Sequence, residues 1–181
     1  HAFGGDWTTA KLDVLAKYLA AYTTALKRQP FMLEYIDAFA GTGYREVRRD
    51  DSAASPSTDL LFPDLAASAP QAYLDGSVRR ALKTTPPFDR YTFIELSRSR
   101  CAELEKLKAE FPGLASQITI YNGDANAEIQ RMCAGHWRGR RAVLFLDPYG
   151  MQVEWSTIEA IAGTKAIDLW LLFPLGIGVS R

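Results

Sequence analysis

Glu34-Tyr-Ile-Asp-Ala-Phe-Ala-Gly-Thr-Gly43 is the stretch on which the reading of this chain turns. Apolar and aromatic side chains fill Tyr35 to Ala40, so a buried strand is predicted over Glu34–Ala40, stopping at two glycines. A strand that hands over to Gly-x-Gly lets backbone amides come close to a ligand, because glycine has no side chain to hold it off. Asp37 interrupts the apolar run. A carboxylate buried near the carboxyl end of a central strand is costly without a partner, and a cationic ligand group would supply one. A glycine-containing strand–turn with no special role is the plainer alternative.

Length and composition set the frame. The chain has 181 residues, enough for one domain with a real core and too few for two comfortable ones. Its 48% apolar and 23% charged residues are those of an ordinary globular protein. Lys plus Arg and Asp plus Glu number 21 each, so no global charge draws the chain to nucleic acid, and such binding would need a local patch. Cys101 and Cys133 lie far apart and in no metal-ligand spacing; they read as reduced thiols of a cytoplasmic protein, and no metal site is expected. No apolar run approaches the roughly 20 residues of a membrane span, and the start lacks a signal-peptide pattern. The first residue is His1 rather than Met, so the natural N-terminus is expected to lie outside the chain.

From Asp6 to Gln29, Leu12, Leu15, Leu19, Tyr22 and Leu26 recur at three- and four-residue steps, which predicts an amphipathic helix closed by Pro30. Lys11 and Lys17 fall off that stripe and are expected in solvent. Residues 44–75 keep no sustained period, are rich in Ala, Ser, Pro and Asp, and carry Arg45, Arg48 and Arg49; they read as an irregular insertion beside the site, a lid or a solvated loop. Gly76–Leu82 predicts a helix start with Ser77 as cap. Strands then follow at Arg90–Leu96, Ile118–Tyr121, Ala142–Leu146 and Ile167–Phe173. Helices are predicted at Arg98–Phe111, Ala125–Cys133 and Trp155–Ala162, and Gly135–Arg141 forms a basic turn holding His136 and Trp137.

Strands alternating with helices predict right-handed crossovers and a mostly parallel α/β sheet with helices on both faces. Ligands of such sheets bind beyond the carboxyl ends of the strands. Four of the five strands end there in Gly41/Gly43, Glu95, Asp124 or Asp147-Pro148-Tyr149. Each acid alone could be a loop residue or a helix cap; their arrival at one sheet edge needs more explanation. A nicotinamide cofactor is disfavoured because Glu46 occupies the third position of the expected G-x-G-x-x-G, and no Gly-Lys-Ser/Thr follows to make a P-loop. S-adenosylmethionine (SAM) has no phosphate and carries a sulfonium and an ammonium, which suit carboxylates.

Asp37-Ala-Phe-Ala-Gly-Thr-Gly43, Glu95, Gly123-Asp124-Ala125 and Asp147-Pro-Tyr-Gly150 resemble the ordered motifs of class I SAM-dependent methyltransferases. With Lys11–Leu19, Gly76-Ser77, Ala81-Leu82 and Phe173-Pro-Leu-Gly176, the chain resembles more narrowly the three-Cys-motif partner protein (TcmP) family. The resemblance covers most of the chain. It implies a Rossmann-like fold with strand order 3-2-1-4-5, whose last strands would lie beyond this chain. It also implies a radical-SAM-like three-Cys-motif protein as companion. Thr42, where many relatives have proline, and the 44–75 insertion depart from the pattern.

Carried over by position, the resemblance implies a cofactor site of Asp37, Phe39, Gly41, Gly43, Glu95, Leu96, Asp124 and Ala125. Asp37 would orient the methionine ammonium, and Gly41 and Gly43 would let the backbone pass the amino acid tail. Glu95 would accept from the ribose hydroxyls, Leu96 would pack on the adenine, and Asp124 would take its amino group beside Ala125. Asp147, Pro148 and Tyr149 would form the catalytic end. They resemble the Asp/Asn-Pro-Pro-Tyr signature of amino-group methyltransferases, without its second proline, and the Asp-Pro-Phe-Gly pattern of tRNA guanine-N2 methyltransferases. A strand-terminating turn is the alternative for these residues. The implied reaction is methyl transfer to an amino nitrogen, for example of a nucleic acid base, approached through Arg45, Arg48 and Arg49 or through Arg138, Arg140, Arg141 and Trp137. A silent SAM-binding subunit and a small-molecule methyltransferase are the competing readings.

Overall fold

A computed structural model of the chain describes residues 5–38, 76–148 and 152–172. Five strands form one sheet in the order β3-β2-β1-β4-β5: β1 (Met32–Ala38), β2 (Arg90–Glu95), β3 (Ile118–Asn122), β4 (Arg140–Leu146) and β5 (Ile167–Leu171). Every neighbouring pair is parallel. This is the predicted Rossmann-like order. Between the strands run α1 (Gly5–Leu26), α2 (residues 76–82), α3 (Arg98–Glu110), α4 (Ala125–Cys133) and α5 (Trp155–Thr164). The predicted boundaries hold to within a few residues. β1 begins two residues earlier than expected, since Met32 N–H already bonds the carbonyl of Gly139. The second half of the opening stretch, from Phe39 onward, and the 44–75 insertion lie outside the described residues.

Burial on both faces explains why the central strands read as continuous apolar runs. Alternate residues serve two cores. Leu33, Tyr35, Phe93 and Phe145 pack under α1, α2 and α3 with Leu15, Leu19, Val78 and Leu107. Ile36, Ile94, Leu144 and Leu146 pack under α4 and α5 with Ile129 and Ile161. The α1 stripe is buried as its spacing predicts, from Leu12 through Tyr22. Tyr18 extends that face to β5, its ring tilted against Trp170 at 4.9 Å and its hydroxyl donating to Asp168 Oδ2 at 3.2 Å.

At the amino-terminal edge of the sheet the second core is closed by an ion pair. Glu34 is 2% exposed; its Oε2 meets Arg140 Nη2 at 2.6 Å, and its Oε1 accepts from Thr92 Oγ1 at 2.8 Å. The Arg140 guanidinium lies 4.5 Å over the Trp137 ring. A desolvated pair of this kind gains little over an apolar replacement, but removing one partner strands a charge. Glu34→Ala is therefore expected to cost about 3 kcal/mol in urea unfolding, and the double variant Glu34→Met/Arg140→Met distinctly less. Equal losses in the two variants would contradict this account.

Candidate functional site at the carboxyl edge of the sheet

The parallel register gathers the strand ends. Asp37 on β1 stands level with Phe93 on β2 and Phe145 on β4, and Ala38 with Ile94 and Leu146. Glu95 and Asp147 follow one residue later on the two strands that flank β1, and Glu95 is level with Asn122 on β3. Strand alternation puts Asp37, Glu95 and Asp147 on the face of α1, α2 and α3, as Tyr35, Phe93 and Phe145 show.

Asp37 is 2% exposed. Its Oδ2 accepts from the Tyr35 hydroxyl at 3.1 Å and from the Ser77 hydroxyl at 2.9 Å. Ser77, expected as a cap, is thus a buried donor inside α2. Gly76 at the start of this helix lies against α1, where a Cβ would press on the end of the Leu12 side chain. Two hydroxyls do not offset the loss of water. Burial pushes the Asp37 carboxyl up to about 7; the Ser77 and Tyr35 hydroxyls pull it down, and the charge of Asp147 adds to the rise.

Asp147 is itself pushed up to about 6 by burial, opposed by the ammonium of Lys11. Lys11 is half-buried at this edge, which corrects its expected place in solvent. Glu95 is 2% exposed and also raised, mainly by burial. Its Oε1 accepts from Ser97 N–H at 2.7 Å, while Oε2 is buried with no hydrogen-bond partner among the described residues. Among the described residues the nearest cation is Arg100 Nη1, 4.0 Å away. A buried acceptor without a partner is one that a water or a ligand donor can satisfy.

Beyond β2 and β3 lies a cavity of about 240 Å³. Ile94 and Leu96 line it from β2 and its end, Gly123 and Asp124 from the β3–α4 turn, Ala125 and Asn126 from α4, and Gln152 from the segment before α5. The volume is below the roughly 300–1,000 Å³ of pockets for whole drug-sized ligands. Leu96 is 62% exposed, an apolar side chain open at its margin. Asp124 is the N-cap of α4, its Oδ1 accepting from Ala127 N–H at 2.9 Å. The capping alternative therefore holds for one of its oxygens, and the other is left for a ligand donor.

The expected cofactor residues therefore fall into two groups. Leu96, Asp124 and Ala125 share the cavity; Asp37 and Glu95 do not line it, and stand at the same edge on the opposite face of the sheet. Asp147 belongs with the second group, and Pro148 beside it is buried. Phe39, Gly41, Gly43 and Tyr149 lie outside the described residues, as do Arg45, Arg48 and Arg49. Sequence reading missed Ser77 as an Asp37 donor, and Asn126 and Gln152 as cavity residues. Tyr35 could have been found, since residues two apart on a strand share a face.

The basic turn needs correcting. Trp137 is 7% exposed and donates Nε1–H to the Met132 carbonyl, so it offers no stacking face. Arg140 is held by Glu34, and the Arg141 guanidinium lies 4.2 Å over the Phe31 ring. The turn also precedes β4, at the sheet edge away from the acids.

With its pKa raised from 3.8 to about 7, Asp37 binds a proton more tightly folded than unfolded. Its contribution is favourable in acid and is lost as pH rises from about 4 to 7. Urea unfolding should accordingly show wild-type stability falling between pH 5 and pH 8. In Asp37→Asn, whose amide oxygen can still accept from both hydroxyls, the fall should shrink by on the order of 2 kcal/mol. Parallel pH profiles for the two proteins would contradict the assignment.

No protein-family model matches the chain, and no curated protein matches it. A solved structure described as "Putative methyltransferase yhhF from Escherichia coli" is similar at 16% identity with a TM-score of 0.38. The match covers 86% of this chain and 63% of that one, so this chain spans less than two thirds of that chain's length. The fold assignment rests on the order and direction of the five strands.

Proposed function

We propose that the chain binds SAM across the carboxyl edge of its sheet and transfers the methyl group to an amino nitrogen. The observation that carries this reading is the buried Oε2 of Glu95, without a hydrogen-bond partner among the described residues, at the same sheet edge as the 240 Å³ cavity lined by Leu96 and Asp124. A ribose hydroxyl on Glu95 would satisfy that oxygen, with the purine packed on Leu96 and its amino group on Asp124. A phosphate-bearing nucleotide is disfavoured, because Glu95, Asp37 and Asp147 would repel it.

When bound, SAM supplies an electrophilic methyl whose bond to sulfur breaks as the bond to the acceptor nitrogen forms, leaving a neutral thioether. Asp37 would face the cofactor's ammonium, whose charge favours the ionised carboxylate. Asp147 would accept a hydrogen bond from the attacking amino group and orient its lone pair. A carboxyl with a pKa of about 6 is also placed to take the proton released after transfer. Positioning and electrostatics supply the rate.

An acceptor on a nucleic acid base and a radical-SAM-like three-Cys-motif companion belong to this proposal through the sequence resemblance. With Trp137, Arg140 and Arg141 engaged in the fold, the arginines that remain for a nucleic acid in this reading are Arg45, Arg48, Arg49 and the exposed Arg138.

Calorimetric titration with SAM should give saturable one-site binding and titration with NAD none. Asp147→Ala should keep SAM affinity within about threefold and lose 10²-fold or more in methyl transfer to acceptors found by screening RNA, DNA and protein extracts. Absence of SAM binding would overturn the proposal. Binding without transfer to any acceptor class would reduce it to the silent-subunit reading.

A further inference from the structure

Asn126 joins the cavity to the segment that follows the Asp147 turn. It is 6% exposed, in the first turn of α4, and one of the residues lining the cavity. Its side chain turns across to the approach to α5. Nδ2 donates to the Gln152 carbonyl at 2.9 Å, and Oδ1 accepts from Glu154 N–H at 3.0 Å and from Thr157 Oγ1 at 2.8 Å. Glu154 is the N-cap of α5 but makes no side-chain cap bond of its own. Asn126 therefore supplies, from another helix, an acceptor for backbone N–H at the start of α5. Thr157 is fully buried, and Gln130 from the next turn of α4 donates to it at 2.9 Å.

Such a set could simply pin two helices together. What separates Asn126 from Gln130 and Thr157 is that it also forms part of the cavity wall, as does Gln152, whose carbonyl it holds. The backbone from Gln152 to Glu154 begins five residues after Asp147. A ligand entering the cavity would meet Asn126 and Gln152 together.

We infer that Asn126 is a positioning residue that couples occupation of the cavity to the placement of the 152–157 segment. This rests on the SAM-binding reading above. Trp155 provides an optical report, being 73% exposed on the first turn of α5 with its Nε1–H on Glu159 at 2.9 Å.

The test uses the whole chain with S-adenosylhomocysteine as probe, followed by calorimetry and by tryptophan emission, with Trp155→Phe identifying the Trp155 signal. Wild type should bind and change its Trp155 emission. Asn126→Ala should bind about tenfold more weakly and show no Trp155 change even at saturation. Thr157→Val removes two bonds of the same set outside the cavity, to Asn126 and from Gln130; it should lower the Tm yet keep affinity within about threefold and keep the emission change. Should Asn126→Ala fail to fold, Asn126→Asp keeps both accepted bonds, loses the donation to Gln152, and should show the same loss of response. Asn126 variants that match wild type in affinity and response overturn the inference and leave the SAM reading intact. So does ligand binding to wild type with a silent Trp155. No binding of either S-adenosylhomocysteine or SAM to wild type overturns both.

Discussion

The organising constraint is the cost of carboxylates at the desolvated ends of parallel strands. Register alone determines that β1, β2 and β4 deliver Asp37, Glu95 and Asp147 to one edge. Burial then raises all three above the ordinary carboxylate range. A fold selected only for stability would place apolar residues there, as it does one and two steps back along the same strands with Phe93, Ile94, Phe145 and Leu146. Three buried acids gathered at one edge are the pattern from which the proposed ligand site is argued.

Those around them soften the cost without removing it. The Tyr35 and Ser77 hydroxyls serve Asp37, Ser97 N–H and the more distant Arg100 serve Glu95, and Lys11 lies near Asp147. The Glu34–Arg140 pair at the other end of the sheet is the contrast. There the carboxylate has a guanidinium at 2.6 Å and a threonine hydroxyl, and the pair reads as structure alone. Glu34 at the amino edge is thus satisfied on both oxygens, whereas Glu95 at the carboxyl edge keeps Oε2 without a hydrogen-bond partner among the described residues.

Much of this was legible in the residue order. Apolar runs bounded by Gly, Pro and acids mark the strands because β1, β2 and β4 are buried on both faces, and the three- and four-residue spacing of α1 survives intact in its buried stripe. The strand-end acids could be found because their position follows from topology. Partners could not. Asn126 resembles any polar residue after a cap until α5 is laid beside it, and Arg140 looks like a surface charge until Glu34, 106 residues away in sequence, arrives beneath it. Trp137 misled for the same reason: a tryptophan in a basic turn reads as an exposed ring, whereas here the turn folds back and buries it against α4. The 240 Å³ cavity has no sequence signature, since its walls come from two strand ends, one helix and a connecting segment.

The central claim concerns one atom, Glu95 Oε2. A crystal structure of the chain grown with S-adenosylhomocysteine tests it most directly. The purine should lie against Leu96 in the cavity beside Asp124, and a ribose hydroxyl should stand within hydrogen-bond distance of Glu95 Oε2. A ligand bound elsewhere, or one that fills the cavity and leaves that oxygen without a partner, would contradict the account.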